Sequence, residues 1–151
     1  MIYFLDTSAL LKRYLNEAGA VYVRGLFGHA DAIFYQAFLT PLEVASALYR
    51  QHRARQLSAE ELSVLLKSYA AHSHREYLLV PYSEAMMSLA DRLIARHPTR
   101  ALDAIQLASA LWLRDHLPDA APAPIFVSAD DRLVACALKE HLQAENPEKR
   151  S

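Results

Sequence analysis

Four short apolar runs punctuate the chain: IYFL at 2–5, AIFYQAF at 32–38, YLLV at 77–80 and PIFVS at 124–128. Each ends at polar residues and gives way to a longer stretch with helical periodicity. Strand-length runs alternating with helical patterns predict an α/β fold in which helices cover a central parallel sheet. The helices are read from spacing. Leu62, Leu65, Leu66 and Tyr69 fall at i, i+3, i+4 and i+7, as do Ala104, Leu107, Ala108 and Leu111, while Met86, Ala90, Leu93 and His97 form a third stripe. Each set shares one helical face, which predicts core-facing surfaces. Proline and small residues break the rhythm at 97–101 and 118–124, so linkers are expected there.

At 151 residues the chain suits a single domain, placed at 1–144, with residues 145–151 expected to form a frayed tail. Hydrophobic residues make up 53% and charged residues 22%, with three glycines, which fits a helix-rich globular protein and excludes a disordered one. A net charge of −1 gives no bulk attraction to a polyanion, so any nucleic-acid contact has to be local. No apolar run approaches the roughly 18 residues of a membrane span, and MIYFLD lacks a cationic leader, so a cytoplasmic protein with no membrane partner is expected. The lone Cys136 excludes an internal disulfide and a cysteine zinc cluster, and reads as a small core residue.

Four acids stand at expected strand-to-helix or loop-to-helix junctions, and each has a simple local explanation. Asp6 follows the first strand and can cap the helix after it. Glu43 sits third in a helix expected to start with Thr40 as N-cap and Pro41 as first residue, a capping-box arrangement. Asp103 opens an almost wholly apolar helix, ALDAIQLASALWL, where burial demands a cap, a metal or a solvated cleft. In FVSADDRL, Ser128 and Asp131 can form a second capping box, which leaves Asp130 without that role.

Taken together they say more. In an open parallel sheet such junctions gather at the carboxyl edge, where ligands bind, so Asp6, Glu43, Asp103 and Asp130 are expected to converge on one pocket. Converging carboxylates repel unless a cation or protons offset the charge. An all-oxygen donor set suits a hard divalent cation, Mg²⁺ or Mn²⁺, which binds through few carboxylates plus substrate phosphate. His72 and His74 lack zinc-ligand spacing. Gly19, Gly25 and Gly28 make no phosphate-cradling loop, no Gly-x-Ser-x-Gly elbow occurs, and Ser8, Ser46 and Ser109 have no evident base. Carboxylate-held metal points to hydrolysis of a nucleic-acid phosphodiester. Between Val44 and Ala59 there is no acid, and helical spacing sets Arg50 and Arg53 near the face of Glu43, as candidate contacts to a nucleic-acid phosphate backbone. Arg92, Arg96 and Arg100 make a second basic set beside Asp91.

The ordered set FLDTSALLKRY, TPLEVASAL, ALDAIQLASAL and FVSADDRLVACA resembles the PIN domain, and within it the VapC-like toxins of toxin–antitoxin pairs, over nearly the whole chain. The resemblance implies a three-layer α/β sandwich and a Mg²⁺- or Mn²⁺-dependent endoribonuclease. It implies Asp6 and Asp103 as principal metal ligands, with Glu43 and Asp130 completing the site directly or through water. Ser8 then helps to orient Asp6, Ser128 stands where relatives often have Thr or Ser, and Asp131 doubles the last acid. Gln106 falls where relatives often carry His, with no consequence expected for metal binding. A homodimer and a small antitoxin partner are also implied. Two other functions compete: a phosphoacceptor receiver domain, which lacks here the paired acids after the first strand and the lysine after the last, and a catalytically silent PIN fold that binds RNA or a partner.

Overall fold

In the computed structural model, which describes residues 1–150, the four apolar runs become strands β1 (Ile2–Leu5), β2 (Ile33–Ala37), β3 (Tyr77–Val80) and β4 (Ile125–Val127). A fifth, β5 (Gln143–Glu145), completes a wholly parallel sheet of order β3-β2-β1-β4-β5. Seven helices connect them: α1 (Thr7–Leu11), α2 (Ala20–Leu26), α3 (Thr40–Arg53), α4 (Ala59–Arg75), α5 (Glu84–Arg96), α6 (Ala101–His116) and α7 (Asp131–Lys139). Right-handed crossovers explain the layering. The chain moves outward from β1 to β3 and then returns to the other side of β1, so the connecting helices change faces.

Strand alternation divides the core accordingly. Ile2 and Phe4 of β1 face one layer with Met86, Leu93, Leu107 and Leu133 of α5, α6 and α7. Tyr3 and Leu5 face the other with Leu10, Leu26, Val44, Leu48 and Leu62 of the first four helices. Because β1 is central and covered on both sides, all four of its residues are buried, which is why IYFL reads as a continuous apolar run. Cys136 is a free thiol buried in the α7 layer, as its apolar setting implied.

The expected fraying beyond residue 144 does not occur through residue 150. Main-chain pairing of β5 with β4 carries the chain to Glu145, and a 3-10 helix at Pro147–Lys149 then docks beside the start of α2. Two features secure it. The ammonium of buried Lys12 meets Glu148 at 2.7 Å and Glu17 at 3.2 Å. Gly19, at φ +79°, lets Pro147 approach so closely that a Cβ at residue 19 would lie 2.9 Å from the Pro147 carbonyl carbon. Among the described residues no helix is long and apolar enough to cross a membrane.

Candidate active site

The order β3-β2-β1-β4-β5 has its switch point at β1 and β4, whose chains leave in opposite directions and open a crevice beyond their carboxyl ends. Asp6 is the first residue after β1. Its N–H donates to the Val127 carbonyl at 3.1 Å, which extends the β1–β4 ladder by one bond and fixes the backbone beneath the side chain. There a cleft of about 480 Å³ is lined by Asp6, Glu43, Asp103 and Asp130, with Thr7, Ser8, Arg50, Arg100 and Gln106 among their neighbours. A larger hollow of about 660 Å³, between Tyr14 and Val64, lies away from all four of these acids.

Asp6 is the deepest of the four. It is the N-cap of α1: Oδ1 accepts from Ala9 N–H at 2.8 Å and from Ser8 Oγ at 2.7 Å. Ser128, the residue after β4, donates its hydroxyl to Oδ2 at 2.6 Å. Burial pushes the carboxyl up to about 6; the hydrogen bonds from Ser128, Ser8 and Ala9 oppose the rise, and the charge of Asp103 adds to it. Asp103, half-buried in the first turn of α6, is raised too, by burial, by Asp130 and by Glu43, against the pull of Arg100. Segments nearly 100 residues apart in sequence therefore feel one another's charge.

Glu43 and Asp130 are held differently from their sequence-based expectations. Thr40 is not an N-cap; Leu39 holds that position, and the buried Thr40 hydroxyl instead accepts from Gln106 Nε2 at 3.0 Å. Glu43 likewise turns away from its own helix end, and its Oε1 accepts from Thr7 Oγ1 at 2.7 Å and Gln106 Nε2 at 2.8 Å. Tertiary partners displace the local box. At α7 the roles also exchange: Asp130 is the cap, its Oδ1 accepting from the N–H groups of Arg132 at 2.8 Å and Leu133 at 3.4 Å, while Ser128 is taken by Asp6. Asp131 is outside the cleft, bound by Asn146 and Lys149 at 2.8 Å each. Their charge and donors hold its carboxyl below the ordinary range.

Of the basic candidates, Arg50 lines the cleft two turns beyond Glu43 on α3, whereas the exposed Arg53 does not. Arg100 reaches the cleft because it is the residue from which α6 starts, and Arg96 is paired with Glu140 instead. Thr7 escaped the sequence reading, and Gln106, noted there only as standing where relatives often carry His, was given no part in holding the acids. The available signal was Gln106 itself, an amide within the apolar face of α6, one turn after Asp103.

The donor set fits a hard cation. All four acids offer oxygen, their charges penalise one another, and Asp6 is carried away from water without a basic partner of its own. Among the described residues no three His, Cys, Asp or Glu side chains form a ready-made metal cage. A cation held in this cleft would therefore have to take most of its ligands from water or substrate.

Fold and crevice together define a three-layer α/β sandwich, with an acidic cleft at the carboxyl edge of its parallel sheet. Solved structures share this fold over essentially the full chain. FitAcB from Neisseria gonorrhoeae superposes with a TM-score of 0.66 at 16% identity, covering 99% of both chains. VapBC-1 from nontypeable Haemophilus influenzae gives 0.64 at 15%, over 99% of this chain and 100% of the other. VapBC2 from Rickettsia felis, bound to a fragment of its promoter DNA, gives 0.64 at 12%, over 97% and 98%. No family model matches the sequence, and no curated protein does either.

Proposed function

We propose that this protein is a Mg²⁺- or Mn²⁺-dependent endoribonuclease that acts as the toxin of a toxin–antitoxin pair. The observation that carries the proposal is the gathering of Asp6, Glu43, Asp103 and Asp130, from four separate segments, around one cleft with Arg50 and Arg100 at its sides. Likeness of fold to FitAcB and to the VapBC structures supports the toxin role and an antitoxin partner.

Asp6 and Asp103 are the residues suited to hold the metal, with Glu43 and Asp130 beside them. Bound there, a divalent cation would supply Lewis-acid activation and charge neutralisation at the scissile phosphate. The chain's own groups prepare the rest. Ser8, Ser128 and the Ala9 N–H fix the Asp6 carboxylate, so little reorganisation is needed when charge develops. Thr7 and Gln106 fix Glu43. Arg50 and Arg100 are placed to meet backbone phosphates, which gives a protein of net charge −1 local affinity for an anionic strand.

Strand order weighs against the receiver alternative. Receivers order their sheet 2-1-3-4-5, whereas this sheet runs β3-β2-β1-β4-β5.

Incubation of the purified protein with end-labelled single-stranded RNA tests the proposal. Cleavage is expected with Mg²⁺ or Mn²⁺ and none in EDTA or with Asp103→Asn, whose circular dichroism should match wild type. Equal cleavage in EDTA refutes metal dependence. RNA binding without any cleavage favours a silent PIN fold.

A further inference from the structure

Three of the four cleft carboxylates are already partly occupied by protein donors. Asp6 Oδ1 has both lone pairs filled by Ala9 N–H and Ser8 Oγ, and Oδ2 has one filled by Ser128, so a single acceptor position is left. Asp130 Oδ1 is engaged by two backbone N–H groups of α7. Glu43 Oε1 takes two donors, from Thr7 and Gln106. Of these four acids only Asp103 accepts no hydrogen bond from a described residue at either oxygen. Glu43 and Asp130 each have one oxygen anchored and one to offer, and Asp6 keeps only the second lone pair of Oδ2.

The anchor on Glu43 is the most constructed. Gln106 is 2% exposed, and its Nε2 lies within 3.0 Å of Thr7 Oγ1, Thr40 Oγ1 and Glu43 Oε1. Its Oε1 is buried with no partner, although the residue lines the cleft. Chemistry fixes the amide orientation, since the reverse would set a carbonyl oxygen against the Glu43 carboxylate. A buried carbonyl without a donor is destabilising, and here it accompanies a donor end that grips Glu43.

We propose that Thr7 and Gln106 are specificity-determining residues: by pinning one oxygen of Glu43 they confine it to single-oxygen ligation, so that the cleft selects Mg²⁺ or Mn²⁺ over Ca²⁺. The inference rests on the metal-dependent function proposed above. Ca²⁺ takes about six to eight oxygens and readily uses both oxygens of a carboxylate, whereas Mg²⁺ demands near-octahedral geometry and retains waters. A Glu43 restricted to one oxygen serves the smaller ion and offers the larger one a ligand fewer. Releasing Oε1 removes that restriction at Glu43.

Calorimetric titration of metal-free protein with Mn²⁺, Mg²⁺ and Ca²⁺ tests this, on wild type, on Thr7→Val and on the double variant Thr7→Val/Gln106→Leu. Wild type is expected to bind Mg²⁺ and Mn²⁺, with Ca²⁺ weaker by about tenfold or more. In the variants the ratio of Ca²⁺ to Mg²⁺ dissociation constants is expected to fall toward one. Wild type binding Ca²⁺ as tightly as Mg²⁺, or an unchanged ratio in folded Thr7→Val, overturns the inference and leaves the metal site standing. Binding of none of the three ions overturns the metal-dependent function and this inference with it. Should the double variant fail to fold, Thr7→Val and the wild-type ratio decide the matter.

Discussion

Replacing Asp6 with asparagine separates what the residue does for function from what it does for the fold. Burial holds the folded-state carboxyl at about 6, against an ordinary value of 3.8. The folded protein therefore binds the proton more tightly than the unfolded chain, and stability falls as pH rises from about 3.8 to about 6 and is level above. At about 1.36 kcal/mol per pH unit, the full loss is about 3 kcal/mol, of which about 2 develops between pH 4.5 and 7.5. Asparagine keeps the geometry: its oxygen can accept from Ala9 N–H and Ser8, and its amide can donate to Ser128 Oγ. In EDTA, Asp6→Asn is expected to gain about 2 kcal/mol over wild type between those two pH values, read from urea melts of both proteins. Mg²⁺ should then reverse the order, because at 100 times its dissociation constant it stabilises wild type by about 2.7 kcal/mol and the variant far less. A difference that is flat with pH, or an Asp6→Asn protein less stable than wild type at the higher pH, would refute the claim that Asp6 is an uncompensated buried charge.

Ser128→Ala removes the sole donor to Asp6 Oδ2, and a loss of about 10–100-fold in Mn²⁺ affinity is expected by calorimetry; unchanged affinity would mean that the hydroxyl does not orient the ligand. Arg50→Ala and Arg100→Ala should each raise KM for RNA and lower the salt dependence of binding by about one charge, while Arg53→Ala leaves both unchanged; the three log–log salt plots decide this. Lys12→Met should cost about 1–2 kcal/mol, less than a fully buried pair because Glu17 and Glu148 are each about 40% exposed, and should render the segment after Glu145 sensitive to protease. A melting temperature and digestion pattern identical to wild type would contradict the staple.

The core strand β1 was legible because it buries both faces, so IYFL stands out as a run, while the edge strand β3 was legible from the apolar run YLLV although Leu78 and Leu79 are exposed. The polar strand β5 was not: three residues, QAE, held at the sheet edge by main-chain pairing with β4, leave no hydrophobic signature. The four acids were visible as a pattern because junction positions are local, and parallel topology carries junctions to one edge. What each acid is bonded to was not visible. Thr40 and Glu43 have the spacing of a capping box, yet Gln106, more than 60 residues away, takes both. Local spacing assigned the α7 cap to Ser128 with Asp131, whereas Asp130 takes it and Asp131 is drawn off by Asn146 and Lys149 of the C-terminal segment. Hydrogen bonds between distant segments outrank local propensity where the site is built.

Anomalous diffraction from crystals soaked in Mn²⁺ locates the ion itself. A single strong peak, or a close pair, is expected in the cleft within bonding distance of Asp6 and Asp103, and is expected to be absent from crystals of Asp103→Asn. Manganese bound only elsewhere, or a cleft left empty at saturating Mn²⁺, would contradict the proposed metal site.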